Sequence, residues 1–191
     1  MENNIVISFI IPAHNSEKFL KRCVESVVKE EKQPKDNNLA EVIIIENGSS
    51  DHTKQIGTAL AEKYENVFLI CSEKGVSNAR NAGVKAAHGE WIFFLDADDY
   101  LPAGTLQKLL DTVNSGKAAD LYIFSYEKGN AIVNVATGEN ADGYEGTGVR
   151  ECLAGMLRNP TRCMAVWGKL FRHSIIQQSS LDFNKKLSLA E

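Results

Sequence analysis

The sequence lacks any run of eighteen apolar residues, and its first apolar stretch, residues 5–11, stops at Pro12. That stretch is too short for a signal-peptide core or a membrane span. Basic charge is not in excess either: 21 Lys and Arg face 25 Asp and Glu, for a net charge of −4. Without a basic field to attract phosphate backbones, nucleic acid is not an expected partner. The four cysteines, Cys23, Cys71, Cys152 and Cys163, stand far apart in apolar stretches, so the close pairs of a zinc ribbon or redox motif are missing. Reduced thiols and a cytoplasmic setting follow as expectations. Internal repeats and low-complexity tracts are absent.

What is present is an ordinary globular mixture, 43% hydrophobic and 24% charged over 191 residues. Folding a chain of this length buries roughly 70% of the surface exposed when unfolded, so neither disulfides nor a structural metal is required. One domain over residues 1–191 is expected.

Short apolar runs alternate with longer stretches of helical period, the pattern of strands connected through helices. Residues 5–11 (IVISFII) are apolar on both parities, as a strand covered on both faces must be. A helix is expected over 16–29, a loop over 30–39 and a second strand over 42–45. A turn at 48–51 leads into a helix reaching about Tyr64, with Asp51 as its cap. A third strand is expected over 67–71, a small-residue helix able to pack close to a sheet over 75–87, and a fourth strand over 91–95 (WIFFL). A helix over 102–114 and a strand over 121–126 follow. Residues 130–148, rich in Gly, Asn and Ala, suggest an extended hairpin or loop; 148–158 reads as helix and 165–171 as a last strand. The succession predicts an α/β fold, a mainly parallel Rossmann-like sheet with helices on both faces. Ligands of such sheets sit at the carboxyl ends of the strands.

Three of those ends carry polar residues: His14 and Asn15; Glu46 and Asn47; and Asp96, Asp98 and Asp99. Three carboxylates within four residues repel one another unless a cation is present. Mg²⁺ or Mn²⁺ takes such oxygen ligands, holding substrate phosphates with one or two carboxylates and water. The competing reading is a solvated turn in which Asp99 or a neighbour caps the next helix.

The order of these segments resembles family 2 glycosyltransferases of the GT-A fold. The resemblance rests on Ile11-Pro12-Ala13-His14-Asn15, then Ile45-Glu46-Asn47-Gly48-Ser49-Ser50-Asp51, then Val76-Ser77-Asn78-Ala79-Arg80-Asn81-Ala82-Gly83, then Asp96-Ala97-Asp98-Asp99. It is firm over 5–101, and Val166-Trp167-Gly168-Lys169-Leu170-Phe171 is similar to a family segment near the acceptor side. The resemblance implies a nucleotide-sugar-binding half over 1–101 and an acceptor-side half over 102–191. The implied donor is a nucleotide diphosphate sugar, usually uridine-linked, and the acceptor a saccharide or other hydroxyl compound, with inversion at the anomeric carbon. A divalent cation, Mg²⁺ or Mn²⁺, would be held by Asp98, with Asp96 sharing the metal or facing the ribose and Asp99 competing for either role. Pro12, His14, Asn15, Asn47, Arg80, Asp96 and Ala97 would line the nucleotide site.

Each has a plainer reading. Pro12 and Asn15 also shape a strand-to-helix turn, His14 reads as a turn residue rather than a base, and Arg80 as a solvated helical charge. Asn47 stands where the family commonly has Asp, although its side-chain oxygen accepts from an imide N–H. A binding module without turnover is the alternative function. An aspartate-based phosphatase using Asp96 and Asp98 is weaker, since that chemistry belongs after the first strand of its fold.

Family members usually place the catalytic base as the Asp of a Glu-Asp pair beyond the Trp-x-Lys-Leu segment. Here Glu191 matches the first member of that pair, the Asp that should follow is absent, and Glu191 itself is a poorly positioned substitute. The chain is therefore expected to be a piece of a longer protein, whose remainder attaches it to the inner face of a membrane. A missing general base costs roughly 10²- to 10⁴-fold in rate. The 191-residue chain is thus expected to bind donor but transfer sugar poorly, and a chain extended past Glu191 to transfer it. Turnover of both on one donor and acceptor is the check, and full activity in the shorter chain would place the base within residues 1–191.

Overall fold

The computed structural model describes residues 5–29, 39–115, 119–128, 131–133, 165–179 and 182–185. Strand β1 (Ile7–Ala13) is followed by helix α1 (Leu20–Val28), β2 (Ala40–Glu46), α2 (Thr53–Lys63), β3 (Val67–Cys71), α3 (Val76–Ala86), β4 (Trp91–Phe94) and α4 (Thr105–Val113). Then come β5 (Leu121–Ile123), β6 (Tyr126–Lys128), β7 (Ala131–Val133), β8 (Lys169–Arg172) and α5 (His173–Gln178). One six-stranded sheet has the order β3-β2-β1-β4-β8-β5, and β6 pairs with β7 in a separate two-stranded unit. The first four strands of the sheet are parallel, while β8 runs antiparallel to β4 and β5.

Register explains why the strands tolerate no polar alternation. Val67, Val42, Phe9, Phe93, Leu170 and Tyr122 align across the sheet. They pack with Leu20, Val24 and Val27 of α1, Leu60 of α2 and Leu106 and Leu109 of α4. The opposite parity, with Ile10, Ile43, Ile45, Ile92 and Phe94, packs against Ala79 and Ala82 of α3 and Ile176 of α5. Both faces are covered, so the strands read as continuous apolar runs. A polar pair interrupts them near the amino ends: Ser8 and Glu41 are buried, and the Glu41 carboxylate accepts from the Ser8 hydroxyl and the His88 N–H.

The sequence reading of the parallel alternation is borne out, with shifted boundaries. Residues 16–19 form a turn ahead of α1, the N–H groups of Phe19 and Leu20 both donating to the Ser16 carbonyl. The strand expected over 121–126 is two elements, β5 and β6, and β6 pairs with β7 within the expected hairpin region. The last strand is shorter than expected, with Trp167 adding only an isolated bridge to Phe94. The helix expected over 148–158 lies outside the described residues, as do Cys152 and Cys163; Cys23 and Cys71 are free thiols.

Close approach of α3 to the sheet depends on Gly83. A Cβ built there would lie 2.3 Å from Cγ2 of Ile10, which is fully buried. Overpacking costs typically about 1–3 kcal/mol, against a gain of roughly 1 kcal/mol in helix propensity for Gly→Ala. Gly83→Ala should therefore lower stability in urea melts, and it should do less harm in an Ile10→Ala background, where the contact is removed. An additive pair would show that the helix shifts without cost.

Candidate donor-site cleft

Chain direction reverses its lateral course at β1. From there β2 and β3 step outward one way, and α3 carries the chain back over the sheet to β4 on the other side. That switch point opens a crevice at the carboxyl ends of β1 and β4. Pro12 sits past the last β1–β4 pair, Ile10 with Phe94, so its missing N–H breaks no bond to β4.

Beyond β1 the chain turns sharply. Asn15 has φ 51°, the one non-glycine residue in the left-handed region among those described. Asparagine tolerates it because its short side chain bonds locally. Asn15 Oδ1 accepts from the Ser50 N–H at 2.9 Å, and its own N–H donates to Ser49 Oγ at 3.1 Å. His14 Nδ1 donates to the Asn47 carbonyl at 2.9 Å, which leaves Nε2 to accept from Asn15 Nδ2 at 3.3 Å. His14 is thereby engaged at both ring nitrogens. The turn is bound to the start of α2 as well: Ser16 N–H donates to Thr53 Oγ1, and Asp51 accepts from the N–H groups of Glu17 and Thr53. Asp51 thus bonds the first residue of α2 from one position before the cap, which is His52 and makes no side-chain capping bond, so the expected cap is displaced by one residue.

At the end of β2, Asn47 is buried, and its Oδ1 accepts from the Gly75 N–H at 2.7 Å. The oxygen expected to read a nucleobase therefore also orders the entry to α3, where Gly75 has φ 126°. Arg80, on α3, is 9% exposed and places Nη2 3.8 Å from Asp96 Oδ1. It is a buried member of the cleft rather than a solvated helical charge.

The turn after β4 holds the acidic cluster. Asp96 is half-buried, Ala97 buried, and Asp98, Asp99 and Tyr100 exposed. The Asp99 N–H closes the turn on the Asp96 carbonyl. Burial pushes the Asp96 carboxyl up from its usual range, with Asp99 and Asp98 adding to the shift and Arg80 opposing it. Asp99 is raised by burial and by Asp98, against Arg22. Burial likewise raises the neighbouring Cys23 thiol, whose Sγ lies 3.5 Å from the Asp96 carbonyl. Arg22 was not singled out from the sequence: its Nη2 donates to the Asp98 carbonyl at 2.7 Å while the guanidinium stacks 4.8 Å from the Tyr100 ring centre. No spacing rule links residues 22 and 98.

No three His, Cys, Asp or Glu side chains among the described residues converge as a closed metal cage. The donor set fits a different kind of cation. Asp98 offers an exposed carboxylate that makes no hydrogen bond or ion pair among the described residues, with Asp96 two residues away. Hard oxygen ligands of this sort suit Mg²⁺ or Mn²⁺ shared with a diphosphate. A shallow apolar groove of about 550 Å³ lies elsewhere, toward the amino end of β3, lined by Phe68, Val67, Lys85 and His88. It meets none of the cleft residues. The structure thus gathers Pro12, His14, Asn15, Asn47, Arg80, Asp96, Ala97 and Asp98 around neighbouring strand ends, and Glu191 lies outside the described residues.

Comparison with known proteins gives three findings. Residues 8–176 match the family described as glycosyl transferase family 2. EpsH of Bacillus subtilis strain 168, named as a glycosyltransferase, is 29% identical over 184 residues, 93% of this chain and 50% of that protein. The poly(ribitol-phosphate) beta-glucosyltransferase of Bacillus spizizenii is 28% identical over 191 residues, 97% of this chain and 28% of that protein. The chain spans half or less of the length of these curated relatives. Among solved structures, S. aureus TarS 1–349 in complex with UDP superposes with a TM-score of 0.75 at 21% identity, covering 97% of this chain and 52% of that one. Mannosyltransferase PcManGT from Pyrobaculum calidifontis, in complex with GDP-Man and Mn²⁺, gives 0.55 at 19% identity over 65% and 36%. The fold is of the GT-A type.

The left-handed residue at the turn generates a test of its own. Asn15→Ala loses the Ser50 bonds, worth about 0.5–1.5 kcal/mol each, and keeps a Cβ in a left-handed conformation costing roughly 1–2 kcal/mol with no local bond to offset it. Asn15→Gly loses the bonds alone. Urea melts should rank the parent above Asn15→Gly and Asn15→Gly above Asn15→Ala; equal losses would remove the conformational argument.

Proposed function

The chain belongs to glycosyl transferase family 2, and from that premise we propose that it is the donor-binding domain of an inverting, cation-assisted glycosyltransferase. The observation that carries the proposal is the meeting of buried Arg80 and half-buried Asp96 with the exposed Asp98 at the sheet's switch point. A UDP-sugar is the proposed donor, supported by the UDP and UDP-GlcNAc complexes of TarS. The acceptor is a saccharide or other hydroxyl compound of a surface polymer, supported by the name of the Bacillus spizizenii relative. Turnover is proposed for the whole protein, and donor binding for the part in hand. That division favours a second reading, a binding module without turnover of its own.

The proposed roles follow from the geometry. Asn47, fixed by Gly75, presents its remaining amide capacity to the base, and Pro12, His14 and Asn15 form the floor of that subsite. Arg80 orients Asp96 and opposes the upward shift that burial imposes on its carboxyl. Asp98, with Asp96, would hold Mg²⁺ or Mn²⁺, and Arg22 fixes the backbone from which Asp98 extends. When bound, the cation supplies charge that stabilises the departing diphosphate. Within residues 1–191 Glu191 is the proposed stand-in for the proton acceptor of the incoming hydroxyl, too poorly positioned for more than slow transfer. The two halves over 1–101 and 102–191 are proposed as donor and acceptor sides of one domain. Among the described residues no helix is long and apolar enough to cross a membrane, and a cytoplasmic site of action at the membrane's inner face is proposed.

UDP should stabilise the chain only with Mn²⁺ or Mg²⁺ present, by about 2.7 kcal/mol at a hundredfold excess over Kd. Thermal shifts with and without chelator test this, and equal stabilisation in chelator would remove the cation from the site. Asp98→Asn changes charge but little volume, so it should fold as the parent does and lose the cation-dependent part of UDP binding.

A further inference from the structure

Asn81 belongs to the Ala-Arg-Asn-x-Gly segment, yet nothing above gives it a role. It is 7% exposed, on the turn of α3 next to Arg80. Its side-chain amide is used at both ends on the backbone of a single residue far along the chain. Nδ2 donates to the Phe183 carbonyl at 3.0 Å, and Oδ1 accepts from the Phe183 N–H at 2.8 Å. This is the two-bond exchange an adjacent antiparallel strand would make. One helical turn earlier, the Ser77 hydroxyl donates to the Asn184 carbonyl at 3.3 Å.

The consequence is the position of the Phe183 ring. It stands edge-on to Phe94 at 5.5 Å, and the Arg80 guanidinium carbon lies 5.6 Å from its centre. The same guanidinium reaches Asp96 at 3.8 Å. Residues 182–185 form no helix or strand, so their placement depends on these contacts rather than on structure of their own.

We infer that Asn81 is a positioning residue that fastens residues 182–185 onto α3, so that Phe183 covers Arg80 and directs it at Asp96. Asn81 and Phe183 touch no donor; they act through Arg80. The inference rests on the donor-site reading above and extends it to the acceptor-side half, because one cation serves both the fastening and the cleft. Linkage then runs both ways: donor binding favours the fastened segment, and an unfastened segment weakens donor binding.

Three measurements on the 191-residue chain test this. They are hydrogen exchange of the Phe183 amide, the Arg80 Nε–H resonance in ¹⁵N NMR, and calorimetry with UDP and Mn²⁺. Asn81→Ala removes both bonds to the Phe183 backbone, so the Phe183 amide should exchange roughly tenfold or more faster. The Arg80 resonance should shift, and UDP should bind about five- to tenfold more weakly. Asn81→Asp, which keeps the acceptor for the Phe183 N–H, should fall between. Faster exchange with an unmoved Arg80 resonance and unchanged UDP affinity would make the fastening merely structural and overturn the inference. Should Asn81→Ala not fold, Phe183→Leu keeps both backbone bonds and removes only the ring. It should then weaken UDP binding with the amide still protected, and unchanged binding and an unmoved Arg80 resonance would overturn the inference equally. If the parent fails to bind UDP, the donor reading falls, while exchange and the Arg80 resonance still decide the fastening.

Discussion

A sheet covered on both faces can carry charged chemistry only where its strands stop. Within β1, β2 and β4 nearly every side chain meets a helix, and an unpaired polar group there costs roughly 1–3 kcal/mol. The polar pair inside the strands, Ser8 and Glu41, shows the condition for an exception, since the Glu41 carboxylate is met by the Ser8 hydroxyl, the His88 N–H and the His88 ring. At the carboxyl ends the restriction lifts. Pairing of Ala13 with Glu46 and of Ile10 with Phe94 sets β1, β2 and β4 to finish near one another, and the residues after them share one crevice.

Three carboxylates in that crevice set its electrostatics, and two arginines moderate them differently. Arg80 meets a carboxylate directly, at 3.8 Å from Asp96. Arg22 bonds the Asp98 carbonyl, so it fixes the backbone of the turn without occupying the acidic side chain. Burial and mutual repulsion still raise the Asp96 and Asp99 carboxyls. A group that binds protons more tightly when folded loses stability as pH rises through its titration, so the unliganded turn is held at some cost at neutral pH. The cation proposed for this turn would offset that cost.

Periodicity and strand-end position make the parallel half legible from sequence. IVISFII, VIII and WIFFL admit only doubly covered strands, and the polar residues that follow each declare the edge on which ligands gather. Local signals also carried Asp51, whose spacing from Thr53 is that of a helix start. What escaped was long-range. Arg22 reaches across 76 residues to Asp98, and Asn81 across 102 to Phe183; no period or motif encodes such meetings. Boundaries shifted where side chains compete with the helix, as at residues 16–19, or where a strand breaks after three residues, as at β5. The antiparallel insertion of β8 was also beyond pattern reading, since a four-residue strand looks alike in either direction.

That insertion bears on how the protein is made. β8 pairs with β4 on one edge and β5 on the other, joining Trp91 to Arg172 and Leu121 to Phe171. During synthesis the four parallel strands are complete once residue 94 has left the ribosome, but the outer edge of β4 has no partner until β8 follows nearly eighty residues later. At roughly 5–20 residues per second, that is on the order of 4–16 seconds with an apolar strand edge open to other chains. The seam between β4 and β8 is closed last, by a short strand whose loss would uncover β4 and detach β5 together. Vulnerability to aggregation is thus concentrated in time, in the nascent chain before residue 172.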